Sequence, residues 1–221
     1  MIKLEKTSVM NFDNAIRGAR NPMNSWEKSD SEFVEAENGY KEFRLGAADL
    51  KLLKKLVKSG SDHRKFMRQI FVSVDITAPL YWWKEFDTYK VGTVANSCST
   101  MHKLTYKEFE LDDFSHDKLL SCMFDVLEDT ICSLNTLRNV YINGSERYQP
   151  HDKQIWYSMI QLLPSSYNQL RTITMNYENI FNMYHARKNH KLAEWHEGFT
   201  EWVESLPFAK ELITEVQSCD D

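Results

Sequence analysis

The chain has 221 residues, of which 42% are hydrophobic and 13% aromatic, and its formal net charge is −5. This composition predicts a globular chain with a sizeable core and excludes a disordered one. The negative charge disfavours non-specific binding to nucleic acid, although a local basic pocket for a nucleotide is still compatible with it.

The cysteines do not form a metal-binding pattern. No Cys-x-x-Cys pair occurs among the four of them, which are Cys98, Cys122, Cys132 and Cys219. We therefore expect reduced cysteines, a cytoplasmic location and no bound metal. No signal peptide and no apolar run of membrane-spanning length is visible in the sequence, so we expect no membrane partner.

The first quarter of the chain predicts one strand and two helices. In chain order, the predicted elements are a strand at 2–10, a short helix at 14–20, a polar loop at 24–42 and an amphipathic helix at 47–59. Leu50, Leu53 and Val57 share one face of the last helix, and Gly60 ends it.

The stretch 62–104 predicts a strand, a helix and a polar loop. Apolar and polar residues alternate from Ile70 to Ile76, which is typical of a half-buried strand. Pro79 permits a helix to begin, because its missing N–H costs little in a first turn. The loop 88–93 then supplies a lysine, a glycine and hydroxyls, and small polar residues follow at 96–100. Such a loop is typical of a site for an anionic ligand.

Helices dominate the prediction after an acidic linker at 108–113. The predicted helices show apolar residues at helical spacing and cover 116–141, 153–163, 172–187, 191–204 and 207–216. Ser115 can cap the first of them, with Leu119, Leu120 and Met123 on its buried side. Helices together with a few strands in the first third predict an α+β fold.

The stretch 63–104 resembles the strand–helix–loop core of flavin-dependent thymidylate synthases. A Gly-His pair opens the strand in that family, as Asp62-His63 does here. The family's RHRxxS signature falls on residues 88–93, and its Ser-x-Arg-Tyr tail falls on 98–101.

The second half of the chain resembles the same family more closely. Leu163-Pro164 matches a family Leu-Pro pair, and the segment 193–197 is similar to its AQWEI. The family's T-x-N…N…R pattern, which carries flavin and nucleotide contacts, matches Thr174, Asn176, Asn182 and Arg187. With the similar early segment 15–20, the resemblance spans most of the chain.

The signature loop departs from the family by losing positive charge. Thr88 and Lys90 replace its two arginines, and Tyr89 stands for its histidine. Thr100 replaces the tail arginine that would hold the nucleotide phosphate, and Glu178 stands where the family often has arginine. Lysine does not replace arginine at a bidentate phosphate site, because it lacks the planar fork. These departures indicate a divergent relative.

The resemblance implies reductive methylation of dUMP, or a related C5 reaction on a pyrimidine deoxynucleotide. FAD hydride would reduce a one-carbon unit from methylenetetrahydrofolate, with NADPH as a further co-substrate. Arg187 would be the catalytic residue. The residues that would bind the cofactor are His63, Lys90, Thr93, Asn176 and Asn182. The residues that would bind the substrate are Glu85, Ser99, Thr100, Arg171 and Arg187.

The resemblance also implies a single domain over residues 1–221, with a central antiparallel sheet flanked by long helices. It implies a homotetramer whose active sites lie between subunits. An alternative is a non-catalytic or repurposed homologue that keeps the fold and oligomer but has lost FAD-dependent turnover. The arginines lost from 88–100 favour this alternative, whereas Asn176, Asn182 and Arg187 favour the enzyme. Arg187 could instead only complement a helix dipole.

Overall fold

A computed structural model describes residues 2–36, 39 and 41–216. The strands are β1 (Lys3–Met10), β2 (Glu32–Glu35), β3 (Lys41–Arg44), β4 (Phe71–Pro79), β5 (Val94–Ser97) and β6 (Asn168–Asn176). The α-helices are α1 (Phe12–Arg20), α2 (Ala47–Lys58), α3 (Leu80–Phe86), α4 (Thr100–Lys103), α5 (Phe124–Asn143), α6 (Lys153–Leu162), α7 (Tyr177–Arg187) and α8 (Thr200–Glu204). π-helical turns occur at Glu194–Phe199 and Lys210–Thr214. None of the described helices combines the length and apolar character needed to cross a membrane.

The predicted α+β class with an antiparallel sheet is confirmed. Four strands form one sheet in the order β1-β4-β6-β5, and β2 pairs with β3 in a separate antiparallel hairpin. The alternation predicted for β4 is also confirmed. Val72, Val74 and Ile76 are buried, whereas Ser73 and Asp75 between them are partly exposed.

The chain divides into two compact units. Residues 76–88 and 96–172 build most of the first unit. The second unit consists mainly of 4–75, 89–95 and the described residues from 173 onward.

The first unit has a core between α5, α6 and the segment that precedes them. Its buried cluster contains Leu104, Phe109, Phe114, Leu127, Leu134 and Met159. Trp82, Trp83 and Phe86 of α3 are also buried, and the ring centroids of Trp82 and Phe86 lie 5.1 Å apart.

The predicted start of the long helix at 116 is wrong, because α5 begins at Phe124. Ser115 caps no helix. Its hydroxyl donates to Asn168 Oδ1 at 2.9 Å, and its backbone N–H donates to the Ser166 carbonyl at 2.8 Å. This pairing holds Ser115 beside residues 166–168, and turns and a short 3₁₀ helix, Ser121–Met123, then precede α5. As a result Leu120, expected to be buried, is 70% exposed, and Leu119 and Met123 are exposed too.

The polar segment 24–42, predicted as loop, contributes β2 and joins it to β3. Glu32 lies opposite Arg44 and Glu35 lies opposite Lys41 in this hairpin. Opposite charges facing each other across two antiparallel strands stabilise the pair, which explains a strand pairing among mainly polar residues.

A buried ion pair joins α1 to α2 within the second unit. Arg20 Nε lies 2.6 Å from Asp49 Oδ1, and both side chains are buried. Asp49 Oδ2 also accepts hydrogen bonds from the hydroxyls of Ser29 and Ser31, at 2.7 and 2.6 Å, and from the Asp30 backbone N–H. One carboxylate therefore connects both helices with the segment between them.

The predicted helix at 172–187 is wrong in its first five residues, which belong to β6. Only Tyr177–Arg187 is helical. Asn176 marks the boundary, because its side chain accepts the Asn179 N–H at 2.9 Å while the Asn179 side chain accepts the Asn176 N–H. This reciprocal cap fixes the start of α7.

Candidate functional site

The loop 89–93 is attached to the first turn of α7 in the second unit. Asn179 Nδ2 donates to the Val91 carbonyl at 2.6 Å. Gly92 has φ = +76°, and a Cβ there would lie 2.9 Å from both Asn176 Nδ2 and Asn179 Oδ1. Only glycine fits this backbone conformation and this close approach without strain. The Thr93 hydroxyl donates to the Tyr89 carbonyl and closes the loop.

Arg187 lies in the last turn of α7 and is fixed by two aromatic side chains. Its Nε donates to Tyr89 Oη at 2.9 Å. The guanidinium carbon lies 5.6 Å from the centre of the Tyr89 ring and 5.1 Å from that of the Trp195 ring. Trp195 is fully buried, whereas Arg187 is partly exposed. The cation is therefore oriented by ring contacts and a hydrogen bond while part of it faces solvent.

The loop thus contacts α7 near both of its ends. Asn179 and Arg187 are eight residues apart, which is about 12 Å along a helix axis. Asn182 lies between them in sequence and is exposed, as is Lys90 in the loop. This unit therefore brings together the predicted residues of the signature loop and of α7.

His63 is exposed and immediately precedes a 3₁₀ turn, Arg64–Gln69. The neighbouring Arg64 is buried, and its Nε lies 3.1 Å from each carboxylate oxygen of Glu178. The Arg64 guanidinium also lies 4.3 Å from the centre of the Phe181 ring. Glu178, which stands where the family often has arginine, is therefore the partner of a buried arginine on another element.

The remaining predicted substrate residues belong to the first unit. Arg171 Nη1 forms an ion pair with Asp87 at 2.7 Å, and its guanidinium lies 4.2 Å from the centre of a Trp83 ring. Arg171 Nε donates to Gln169 Oε1 at 3.0 Å, and Gln169 Nε2 donates to Thr100 Oγ1 at 3.1 Å. Gln169 therefore links Arg171 to Thr100, and Asp87 already compensates the charge of Arg171.

Two further predicted residues of this unit have local roles. The Ser99 hydroxyl accepts the His102 N–H at 3.3 Å and caps the short helix α4. Glu85 is partly exposed on α3, and its carbonyl accepts the Thr88 hydroxyl at 2.7 Å.

Sequence reasoning missed the residues that position the predicted ones. Trp195 beside Arg187, and Asp87 and Gln169 beside Arg171, are all contacts made by the tertiary fold. Asn179 had a sequence signal, since polar residues three apart at 176 and 179 are a capping pattern.

The fold is shared with flavin-dependent thymidylate synthases. Neither the known family models nor the curated protein sequences give a match to this chain. Among solved structures, two of the flavin-dependent thymidylate synthase ThyX from Helicobacter pylori, with FAD and dUMP, are similar to it. They give TM-scores of 0.66 and 0.67 at 16% and 17% identity, and cover 98% and 97% of this chain and 99% and 98% of theirs.

A UMP/dUMP methylase, PolB from Streptomyces cacaoi, bound with 5-Br UMP, is also similar. Its TM-score is 0.55 at 12% identity, with 96% of this chain and 93% of that chain covered. At these identities, the likeness establishes the fold.

Proposed function

We propose that this protein binds a pyrimidine deoxynucleotide beside FAD and methylates its C5 position, as a thymidylate synthase-like enzyme or in a related C5 reaction. The observation that carries the proposal is the guanidinium of Arg187, fixed by Tyr89 and Trp195 at the end of α7. The two kinds of methylase that share the fold were crystallised with dUMP or a UMP analogue, which supports the same class of substrate.

Arg187 is the proposed catalytic residue. A guanidinium can donate two hydrogen bonds to a carbonyl edge and stays protonated at any working pH. Directed at the pyrimidine, it would stabilise the negative charge that develops on the ring as C5 becomes nucleophilic. Because Tyr89 and Trp195 already orient the guanidinium, little reorganisation would be needed when the nucleotide binds.

The donors in the second unit fit FAD in their chemistry. Lys90 offers an exposed cation for a pyrophosphate, and His63 and Asn182 offer exposed ring and amide donors. Asn176 and Thr93 would contribute less, since their side chains already bond within the α7 cap and the loop. Bound FAD would supply the hydride that reduces the one-carbon unit, with methylenetetrahydrofolate and NADPH as co-substrates.

Arg171 of the first unit, with Ser99 and Thr100 of the same unit, is proposed to contact the phosphate of a nucleotide. Stacking on Trp83 holds the Arg171 guanidinium in one orientation. A phosphate would have to share this cation with Asp87. Glu85 is proposed as a further substrate-binding residue of the first unit.

A repurposed protein that binds a nucleotide without flavin turnover is the second candidate. Two observations favour it. The loop 89–93 uses its polar groups to bond with itself and α7, and the charge of Arg171 is already balanced by Asp87. Fewer hydrogen-bond donors then remain for the pyrophosphate of FAD.

The decisive measurement is the visible absorbance of the purified protein, followed by its melting temperature with added FAD or dUMP. Lys90→Ala should lower FAD affinity about 10- to 100-fold, since a charge-assisted contact is worth roughly 1.5–3 kcal/mol. Lys55→Ala, which removes an exposed lysine of α2, should change nothing. A melting shift with dUMP but none with FAD, and no visible absorbance, would support the repurposed protein. No shift with either ligand would overturn both candidates.

A further inference from the structure

The hydroxyl of Tyr89 contacts Arg187, the proposed catalytic residue. Its Oη accepts a hydrogen bond from Arg187 Nε at 2.9 Å. A phenolic hydroxyl that accepts one hydrogen bond can still donate its own hydrogen. Tyr89 and Arg187 can therefore present donors from two side chains at one place.

The position of the Tyr89 hydroxyl is fixed by three contacts within the second unit. Its ring meets the ring of Trp195 edge-on, with centroids 6.3 Å apart. The Tyr89 carbonyl accepts a hydrogen bond from the Thr93 hydroxyl. The loop 89–93 is held to α7 by the hydrogen bond from Asn179 to the Val91 carbonyl. A donor held this firmly favours a ligand whose acceptor is already in the right place.

We propose that Tyr89 is a specificity-determining residue that, together with Arg187, selects uracil over cytosine. This inference rests on the proposed function, because it assumes that a pyrimidine nucleotide binds beside Arg187. Uracil carries a carbonyl acceptor at position 4, whereas cytosine carries an amino donor there. The donors of Tyr89 and Arg187 can both hydrogen-bond a carbonyl oxygen. An amino group offers them no acceptor, so both donors are left unpaired. Leaving polar groups unpaired in a binding site costs far more affinity than losing an apolar contact.

A purely structural role is the competing explanation for Tyr89. The phenol would then only fasten the loop 89–93 to α7 and orient Arg187. Removing its hydroxyl would lower stability and weaken all nucleotides alike, without changing the preference between two bases. The ratio of two affinities therefore separates the two roles.

The test compares dUMP and dCMP binding by calorimetry for the wild type, Tyr89→Phe and a control. Tyr89→Phe keeps the ring contact with Trp195 and removes one oxygen. We expect about a tenfold loss of dUMP affinity, which corresponds to one hydrogen bond of about 1.4 kcal/mol, and no loss of dCMP affinity, because the variant removes a donor that cytosine leaves unpaired. Tyr106→Phe, at a tyrosine that is 77% exposed in the first unit, is the matched control and should change neither.

The outcomes distinguish this inference from the function on which it rests. A wild type that binds neither nucleotide overturns the proposed function and the inference with it. A wild type that binds dUMP no better than dCMP, or a Tyr89→Phe protein that keeps the wild-type preference, overturns the inference alone. Tyr89→His gives a second measurement if Tyr89→Phe does not fold. The imidazole is shorter than the phenol, so its nitrogens do not reach the position of Oη, and a wild-type preference for dUMP in this variant would likewise overturn the inference.

Discussion

Arg187 is the residue on which the proposed chemistry depends. It stands in the last turn of α7, where a cation is favourable for the helix dipole in any protein. Its contacts with Tyr89 and Trp195 go beyond that role, since a dipole needs no fixed orientation of the guanidinium. The structural and catalytic explanations therefore differ in what they require of the side chain.

Replacing Arg187 with lysine keeps the charge and removes the planar fork. We expect Arg187→Lys to reduce dUMP turnover on the order of 100-fold or more, the usual result of losing a charge-stabilising donor. Lysine keeps the helix-dipole contribution, which is worth roughly 0.3–1 kcal/mol, so the melting temperature should change little. Steady-state turnover and thermal melting measure the two effects.

The control for this substitution is Arg17→Lys, in the last turn of α1. It makes the same chemical change at another helix end and should leave dUMP turnover intact. If Arg187→Lys lowers the melting temperature and leaves dUMP binding unchanged, Arg187 is structural and the site lies elsewhere.

At the scale of elements, the contact between the loop 89–93 and α7 places Tyr89 beside Arg187 in the second unit. Gly92 permits that contact, and it can be tested by adding one methyl group. Gly92→Ala should destabilise the protein by about 1–3 kcal/mol, because alanine is strained at positive φ and its Cβ would press on Asn176 and Asn179. It should also weaken nucleotide binding by displacing Tyr89 from Arg187. Urea unfolding and calorimetry measure these effects.

Gly60→Ala is the matched control for the strain that alanine suffers at positive φ. Gly60 has φ = +93°, and a Cβ there would meet no atom of the described chain within 4 Å. The difference between the two variants isolates the contact with α7. Equal destabilisation and equal nucleotide affinity in the two variants would contradict a role for the loop contact.

The Asp49 carboxylate predicts a stability that depends on pH. Burial opposes its ionisation, but hydrogen bonds from Ser31, Ser29 and Arg20 outweigh burial and lower the pKa of Asp49 below its usual value. A carboxylate with a lowered pKa stabilises the fold above about pH 4, and this stabilisation disappears as the pH falls through its folded pKa. Asp49→Asn should cost about 3 kcal/mol at pH 7, because it leaves buried Arg20 without a counter-charge.

Melting curves between about pH 7 and pH 2 test this prediction. The difference in stability between wild type and Asp49→Asn should shrink at the acidic end, where both side chains are neutral. The exposed Asp13 of α1 provides a control, and Asp13→Asn should follow the wild type at every pH. A difference in stability between wild type and Asp49→Asn that stays constant with pH would contradict the lowered pKa of Asp49.

Local sequence signals predicted the elements whose apolar pattern and end signals both lie within one short stretch of the chain. The alternation of apolar and polar residues predicted β4. Gly60, which follows α2, predicted the end of that helix. The same spacing rules failed at 172–176, because Ile173 and Tyr177 stand four apart, as in a helix, although the first lies in β6. The β-branched residues of that segment and the Asn176 cap favour the strand, but they carry less weight than periodicity in a single sequence.

Long-range pairs explain what the sequence could not predict. Arg64 and Glu178 are 114 residues apart, and Tyr89 and Arg187 are 98 apart. Only the tertiary fold brings such partners together. The resemblance in sequence therefore indicated which residues belong to the candidate site, while their orientation and charge partners came from the structure.

At the scale of the whole molecule, a homotetramer is our prediction. Large apolar side chains are exposed in and before α5, including Leu120 at 70% and Val126 at 59%. Neighbouring apolar residues of this kind mark association surfaces. Sedimentation at micromolar concentration should give about four times the 26.1 kDa of one chain.

Val126→Asp should shift the sedimenting species toward smaller assemblies, because it places a charge in the proposed surface. Glu128→Lys, a change of an exposed charged residue on the same helix, is its control. A monomer of the wild type at this concentration would contradict the prediction.

The position of Trp195 gives the candidate site its own optical reporter. Its buried indole lies 5.1 Å from the Arg187 guanidinium and makes an edge-to-face contact with the Tyr89 ring. Indole fluorescence responds to a nearby charge, so an anionic ligand that neutralises Arg187 should change the emission of Trp195. A bound flavin would quench the same emission by energy transfer. Occupancy of the site can therefore be followed in solution without any label, and before any product is formed.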